Sequence, residues 1–283
     1  MRKLLLDVLD RVSVGFMRHA PHGMAQGYGS LIARHVAPRL YPAAGQRARE
    51  NLARLRPDLE VEAALAQMWE CIARSMLEVP RAIRLFDEGR VQVVGAEHLS
   101  PRPLIVAALH LGNWEMVGLA MVRAGAPPVA FYQPQPSDYR TRIVVAERIK
   151  GGGRLLPLGR DGARPALHAL TRDREVLLLF PDENQHGRIA APSLGRGPRM
   201  GGNIENAIRL ARIGGAPIVI GHCERLMAAR DGPRFRVTFE APMAMPREVS
   251  VSDGVADLDA RIEAIILAHL PQWLMLTDWQ PEG

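Results

Sequence analysis

Cysteine, metal-binding motifs and aromatic residues are scarce in this chain of 283 residues. The two cysteines, Cys71 and Cys223, are too few for a disulfide framework and form no CxxC pair. The nine histidines show no HExxH spacing, so we predict no metal site, and no motif calls for a cofactor. Aromatic residues make up 5% of the chain, which argues against a stacking surface for single-stranded nucleic acid.

Lysine is almost absent from a basic chain. Lys3 and Lys150 are two of the 36 cations, so the other 34 are arginine, and the net charge is +6. This balance favours anionic partners, such as an anionic membrane surface or an acidic carrier protein. A GC-rich coding sequence would also explain much of the arginine excess. The cations form no dense run, and we therefore predict no nucleic-acid partner.

The sequence has no uncharged apolar run at its start. Apolar residues recur at helical spacing over the first 20 residues, but Asp7, Asp10 and Arg11 interrupt them. The segment is therefore too charged for a signal peptide and too short to span a bilayer. Two interpretations stay open: an amphipathic helix on a membrane surface, or a helix docked on the protein's own core.

Helical and strand-like patterns divide the chain near residue 90. Helices are expected over 1–35, with a break around Gly27 and Gly29, and over 43–56 and 60–86, with Pro80 kinking or ending the last. Short apolar strands follow at 91–94, 104–109, 128–132, 154–158, 175–180, 216–221 and 234–240. Further helices are expected at 113–124, 138–150, 161–172, 203–213 and 255–270.

This alternation predicts an α/β fold with a mainly parallel central sheet flanked by helices. Residues 1–90 would form a helical N-terminal layer, and residues 91–283 an α/β catalytic core. No linker separates the two parts, so we predict a single domain over 1–283.

The most informative segment is residues 104–115, LIVAALHLGNWE. A buried-type strand ends at His110, Gly112 suits a tight turn or a close substrate approach, and Asn113 is a favoured N-cap. Glu115 then falls in the first turn of a helix at the sheet edge where α/β folds bind ligands. A carboxylate that orients an imidazole leaves its other nitrogen free as a base, which suits attack of a hydroxyl on an activated acyl group. A structural histidine is the alternative.

Three later segments also begin where predicted strands end, so they are expected to converge on the same crevice. Tyr132 and Gln133 follow one strand, Arg160 could hold a phosphate or carboxylate after the next, and Asp182 follows another. Ordinary loop and capping chemistry is the alternative for each.

The order of these segments resembles the lipid A biosynthesis (late) acyltransferase family, within the lysophospholipid acyltransferase superfamily. The resemblance covers nearly the whole chain, and its most specific part is the His-x4-Glu spacing of residues 110–115. The other matching segments are Arg49–Leu52, Pro157–Gly162, Phe180–Asp182, and Pro271–Trp273 with Trp279.

The resemblance implies a fold like that of glycerol-3-phosphate acyltransferase and transfer of a fatty acyl chain to a hydroxyl of a membrane lipid or glycolipid. The donor would be acyl carrier protein or acyl-CoA. His110 would be the general base, and Glu115 would orient it. Substrate contacts are expected from Asn113, Tyr132, Gln133, Arg160 and Asp182. The protein would act at the cytoplasmic face of the bacterial inner membrane, as a peripheral or monotopic protein.

Two departures from the family pattern leave the acceptor open, and one of them is that the region around Asn203 lacks the usual Thr-Pro-Thr pattern. The family usually has Tyr-Arg-Pro where this chain has Tyr132-Gln133-Pro134, and Gln133 carries no positive charge. An ornithine-type lipid or a glycolipid is as compatible as lipid A. A thioesterase-like hydrolase, or a catalytically impaired protein that binds lipid or acyl carrier, is the alternative function.

Overall fold

A computed structural model describes residues 2–133, 137–157, 159–227 and 232–281, with residues 2–9 and 160 described by their backbone. The N-terminal part is helical: α1 (Arg2–His19), α2 (His22–Leu31), α3 (Ala37–Leu40), α4 (Pro42–Leu55), α5 (Val61–Glu78) and α6 (Ala82–Asp87). A π-helical turn (Ile32–Val36) joins α2 to α3, and a 3₁₀ turn (Val79–Arg81) joins α5 to α6.

Two expectations for these helices have different outcomes. The predicted break at Gly27 and Gly29 is wrong, because α2 continues through both glycines and the chain instead breaks before Pro21. Gly29 packs against α5, where a Cβ would lie 2.9 Å from the Arg74 side chain. The end predicted near Pro80 is confirmed, since α5 stops at Glu78 and Pro80 lies in the 3₁₀ turn.

Strands and helices alternate from residue 91 onward. The strands are β1 (Val91–Val94), β2 (Leu104–Ala108), β3 (Pro128–Phe131), β4 (Arg154–Leu156), β5 (Val176–Leu179), β6 (Asn184–Gln185), β7 (Arg188–Ile189), β8 (Ile218–Arg225) and β9 (Phe235–Phe239). The helices are α7 (Glu115–Arg123), α8 (Asp138–Lys150), α9 (Arg160–Thr171), α10 (Gly202–Gly214) and α11 (Val251–Ala268). Further 3₁₀ turns lie at Ala96–Leu99, Leu270–Gln272 and Leu274–Thr277.

Seven strands form one sheet in the order β1-β9-β8-β2-β5-β3-β4. Every neighbouring pair is parallel except β8 and β9, which are antiparallel. The predicted α/β fold with a mainly parallel sheet flanked by helices is confirmed. The division into one domain stays a prediction.

The central strands are buried on both faces, which is why they read as continuous apolar runs. In β2, Ile105 and Ala107 join the core that includes α9, α10 and α11, while Leu104 and Val106 face the core that includes α7. The helical N-terminal layer adds α4 and α5 to the first of these cores. Among the described residues, no helix has the length and apolar character needed to cross a bilayer.

Candidate active site

An imidazole and a buried carboxylate meet at the carboxyl edge of the sheet. His110 follows β2 and Asp182 follows β5, and these two strands are parallel neighbours. His110 Nδ1 lies 2.9 Å from Asp182 Oδ1, and the His110 backbone N–H donates to Asp182 Oδ2 at 2.8 Å. An ionised carboxylate only accepts hydrogen bonds, so this contact places the proton on Nδ1 and leaves Nε2 as the free acceptor.

The carboxylate of Asp182 is held from a second side. The Trp273 indole N–H donates to Asp182 Oδ2 at 2.9 Å, and the Asp182 side chain has no exposed surface. The following residue, Leu274, donates its backbone N–H to the His110 carbonyl at 2.9 Å. One C-terminal segment therefore binds both the histidine and its carboxylate partner, which limits the movement of either group.

The imidazole lies between two aromatic rings. The ring of Phe180 is stacked on it with centroids 4.2 Å apart, and the ring of Trp114 meets it edge-on at 5.5 Å. The side chain of His110 keeps 13% of its surface exposed, so it is reachable from solvent or a ligand. A histidine with one nitrogen fixed and the other accessible has the arrangement that general bases need.

The expectation that Glu115 orients His110 is wrong in this structure. Both carboxylate oxygens of Glu115 instead accept hydrogen bonds from Arg148 on α8, from Nε at 2.9 Å and from a terminal nitrogen at 2.7 Å. Glu115 is the first residue of α7, and its carboxylate pairs with α8 rather than with the imidazole at the strand end. Although burial opposes the charge of Arg148, the adjacent Glu115 carboxylate raises its pKa above the ordinary value.

Asn113 is also placed differently from its predicted roles. The helix begins at Glu115 with Trp114 as its N-cap; the Asn113 side-chain oxygen accepts no capping hydrogen bond, and only its backbone carbonyl accepts the Met116 N–H at 3.0 Å. Its side chain is 1% exposed and donates to Glu78 Oε2 at 3.0 Å, so it faces the N-terminal helical layer and not a substrate. The close neighbour of Gly112, at φ 57°, is the backbone of β8, because a Cβ there would lie 2.3 Å from the Cys223 carbonyl oxygen.

The remaining predicted contacts follow other strands. Tyr132 lies at the end of β3, where its N–H donates to the Leu156 carbonyl at 3.1 Å, and Gln133 is exposed. Arg160 starts α9, but its side chain lies outside the described part of the chain. Of the predicted site residues, only His110 and Asp182 are in direct contact with each other through described side chains.

An apolar groove begins beside the imidazole. Both aromatic neighbours of His110 line it, and the groove continues between α7, α8 and β3. Its walls include Leu119, Val122, Pro128, Leu155 and Leu178, while the Glu115–Arg148 pair forms a charged part of the lining. This mainly apolar lining suits an acyl chain better than a polar substrate.

One further acidic group lies close to the dyad. Burial raises the pKa of Glu183, while the nearby His110 and the Asn203 amide, at 2.7 Å, favour its ionised form. Asn203 also donates to the Phe180 carbonyl at 3.1 Å and so joins α10 to the end of β5. Within the described ranges, no three His, Cys, Asp or Glu side chains are grouped closely enough to hold a metal ion.

Sequence reasoning missed Trp273, Arg148 and the buried residues around Asn113. The segment Pro271–Trp273 was noticeable in the sequence as a motif, but nothing in it indicated that the indole would reach a residue 91 positions earlier. Arg148 is one of many arginines, and no local pattern distinguishes it.

The chain matches the family model described as bacterial lipid A biosynthesis acyltransferase over residues 8–279. The chain belongs to this family. The predicted family membership and the prediction of an acyltransferase of lipid biosynthesis are therefore confirmed. The His110–Asp182 dyad and the apolar groove lie in the matched region of the acyltransferase.

Two known proteins are similar to this acyltransferase. A phosphatidylinositol mannoside acyltransferase of Mycolicibacterium smegmatis is 27% identical over 280 residues, which covers 92% of this chain and 86% of the relative. The crystal structure of a 1-acyl-sn-glycerophosphate acyltransferase from Thermotoga maritima superimposes with a TM-score of 0.42 and 15% identity, over 93% of this chain and 100% of the other.

Proposed function

We propose that this acyltransferase moves a fatty acyl chain from a thioester donor to a hydroxyl of a membrane lipid or glycolipid, with His110 as the general base. The observation that carries the proposal is the imidazole held by Asp182 at 2.9 Å beside an apolar groove. The donor would be acyl carrier protein or acyl-CoA, with its acyl chain in the groove and its thioester carbon near Nε2.

The reaction follows from the free nitrogen of the imidazole. Nε2 takes the proton of the acceptor hydroxyl as its oxygen attacks the thioester carbon, and Asp182 stabilises the imidazolium that forms. The tetrahedral intermediate then breaks its carbon–sulfur bond, and the leaving thiolate takes the proton back from Nε2. No acyl-enzyme is formed. The N-terminal end of α7 beside the groove offers partial positive charge to the developing oxyanion.

The pair Glu115–Arg148 has a supporting role in this proposal. Its two charges are on the groove lining and neutralise each other, so an apolar chain can pass without meeting an unpaired charge. Tyr132, Gln133 and Arg160 stay candidate acceptor contacts, because each follows a strand at the edge that carries His110.

We also propose that the protein binds an anionic membrane surface through its N-terminal helices. Val12 on α1 and Met24 and Leu31 on α2 are more than half exposed. Exposed arginines such as Arg11 and Arg34 lie on the same helical layer. Apolar side chains next to arginines are typical of peripheral membrane contact, here at the cytoplasmic face of the inner membrane. Met17 packs inward, so one face of α1 is docked on the protein core.

The test supplies labelled acyl carrier protein or acyl-CoA together with lipid vesicles. The vesicles carry either a lipid A precursor or phosphatidylinositol mannosides, the acceptor named for the mycobacterial relative. A transferase produces labelled lipid ester, whereas a thioesterase releases labelled fatty acid, and a binding protein does neither. We expect lipid ester from the wild type and at least about 10²-fold less from His110→Ala.

The matched control is His35→Ala, which changes an exposed histidine on the π-helical turn. We expect it to keep the wild-type rate. A His110→Ala protein that folds normally and still forms lipid ester at the wild-type rate would eliminate the proposed base.

A further inference from the structure

A buried ion pair lies behind the turn that carries the catalytic histidine. Arg225, at the end of β8, donates to both carboxylate oxygens of Glu78 at the end of α5, at 3.0 and 2.5 Å. The two side chains are 2% and 6% exposed. Neither residue is hydrogen-bonded to His110 in the described part of the chain, and neither is among the residues that line the apolar groove.

The ion pair is hydrogen-bonded to the turn of residues 110–113 from the side of α5. Glu78 accepts from the Asn113 amide at 3.0 Å, and Arg225 approaches the Ser75 hydroxyl at 3.3 Å. That hydroxyl donates to the Gly112 carbonyl oxygen at 2.6 Å. Two consecutive residues of the turn are therefore held by α5 and by the charged pair that α5 shares with β8.

The same pair is connected to the C-terminal segment that holds Asp182. The side-chain amide of Gln272 accepts from the Arg225 N–H at 2.8 Å and donates to the Arg225 carbonyl at 3.1 Å. The Gln272 backbone carbonyl accepts the Gly112 N–H at 3.0 Å. Its neighbour Trp273 donates to Asp182. These contacts connect the turn of residues 110–113, the ion pair and the segment of Trp273, which holds the Asp182 carboxylate, in one hydrogen-bonded network.

Stability alone is a weak reason for such a pair. Burying two charges costs so much desolvation that apolar residues of similar size are often as stabilising. What apolar residues cannot supply is a directional hydrogen bond to Asn113 and, through Ser75, to Gly112. We infer that Glu78 and Arg225 are positioning residues that fix the turn of residues 110–113 and thereby the reach of the His110 imidazole. This inference rests on the proposed role of His110 as the base.

The main experiment replaces both charges at once. The double variant Glu78→Met with Arg225→Met removes the buried charges together and keeps much of the side-chain volume. We expect a folded protein with about 10- to 100-fold lower kcat, because small displacements of a catalytic group have effects of this size. KM for the acyl donor should stay within about twofold, because the groove is untouched.

The control uses a second ion pair on the same helix. Arg74 and Glu70 lie 2.7 Å apart on α5, and their other polar partners in the described part of the chain are Ser30 and Arg34 of the N-terminal layer. The double variant Glu70→Met with Arg74→Met should keep the wild-type kcat. A purely structural role for the Glu78–Arg225 pair would lower the melting temperature and leave kcat per folded molecule unchanged, and that result would overturn the inference.

A smaller substitution decides the matter if the double variant does not fold. Ser75→Ala removes only the hydroxyl that donates to Gly112, and we expect an intact fold with several-fold lower kcat and unchanged donor KM. Wild-type kcat in folded Ser75→Ala would contradict the inference. His110→Ala is measured in parallel to separate the two proposals. An active His110→Ala protein would mean that His110 is not the base. An inactive His110→Ala protein beside fully active Ser75 and Glu78/Arg225 variants would mean that only the positioning role is wrong.

Discussion

At the scale of single residues, two carboxylates compete for the role of partner to His110. Glu115 is five positions away in the sequence but binds Arg148, whereas Asp182 is 72 positions away and contacts the imidazole directly. Proximity along the chain favoured Glu115, since a strand-turn-helix brings it to the same sheet edge. Asp182 reaches His110 because β2 and β5 are adjacent strands, and the order of strands depends on the whole sheet.

The first prediction separates these two residues. Asp182→Asn should lower kcat by about 10² to 10⁴, because the amide cannot fix the Nδ1–H tautomer or stabilise an imidazolium as a carboxylate does. Glu115→Gln should have a smaller effect on kcat and a larger one on stability, since it leaves the Arg148 guanidinium without its carboxylate. Steady-state rates and melting temperatures of both variants provide the measurement. Nearly full activity of Asp182→Asn with an inactive, folded Glu115→Gln would restore the role of Glu115.

At the scale of elements, α7 forms one wall of the groove through Gly118, Leu119 and Val122. Gly118 is in the helix interior, where glycine costs about 1 kcal/mol relative to alanine. A Cβ added at this position finds its nearest atom, Leu178 Cδ2, at 4.0 Å. The helix therefore tolerates a side chain here, and the space that such a side chain would occupy is the groove.

The wall formed by α7 leads to a prediction about the length of the acyl chain that the groove accepts. Gly118→Leu should lower kcat/KM for long-chain acyl thioesters by about 10-fold or more and affect short-chain donors much less, because the side chain fills part of the groove. Gly118→Ala is the matched control and should keep the wild-type order of donors, with stability raised by about 0.5 to 1 kcal/mol. Rates with a series of acyl thioesters test both variants. An unchanged series in folded Gly118→Leu would place the acyl chain elsewhere.

Helices and strands with a strong apolar periodicity were predicted well, whereas features that depend on contacts with distant parts of the chain were not. The strands β1 to β5 and β9 and the helix α8 lie close to where their apolar patterns and turn residues placed them, because both patterns are local properties, whereas β8 continues four residues past its predicted end at residue 221. The two glycines misled because Gly29 packs against α5, which outweighs the low helix propensity of glycine, and the exposed Gly27 lies within the same helix. Asn113 misled for a similar reason, since Glu78 binds an amide that would otherwise suit a helix cap.

At the scale of the whole molecule, the proposed active site is assembled from parts that are distant in sequence. The helical N-terminal layer provides Ser75 and Glu78, two sheet strands provide His110 and Asp182, and the C-terminal segment provides Trp273. Sequence reasoning found the edge of the sheet where these parts meet, because parallel strands share a carboxyl edge. It could not identify the contacts between parts, since a buried hydrogen bond over long sequence distances has no periodic signature.

Two histidines with lowered pKa values, the buried His222 and the partly exposed His22, are expected to make the stability of the folded chain depend on pH. His222 on β8 is 7% exposed, and its Nε2 lies 3.1 Å from the Glu240 carboxylate. Burial lowers the pKa of His222 below its ordinary value of 6.5, although Glu240 opposes the shift. Burial and the neighbouring Arg90 likewise lower the pKa of His22. At a pH near or below 6.5 these two histidines therefore bind fewer protons in the folded state than in the unfolded chain.

The direction of the effect follows from this difference in proton binding. Well above pH 6.5 the imidazole of His222 is uncharged in both states, so it adds little pH dependence there. As the pH falls through about 6.5, the unfolded chain binds the proton first, and the free energy of unfolding decreases until the folded state is protonated as well. Chemical denaturation between about pH 7.5 and about pH 5.5 should show this loss. His222→Gln should reduce the slope without abolishing it, because His22 remains, whereas the exposed control His35→Gln should follow the wild type. Equal slopes for wild type and His222→Gln would mean that the buried imidazole is protonated as readily in the folded chain as in the unfolded one.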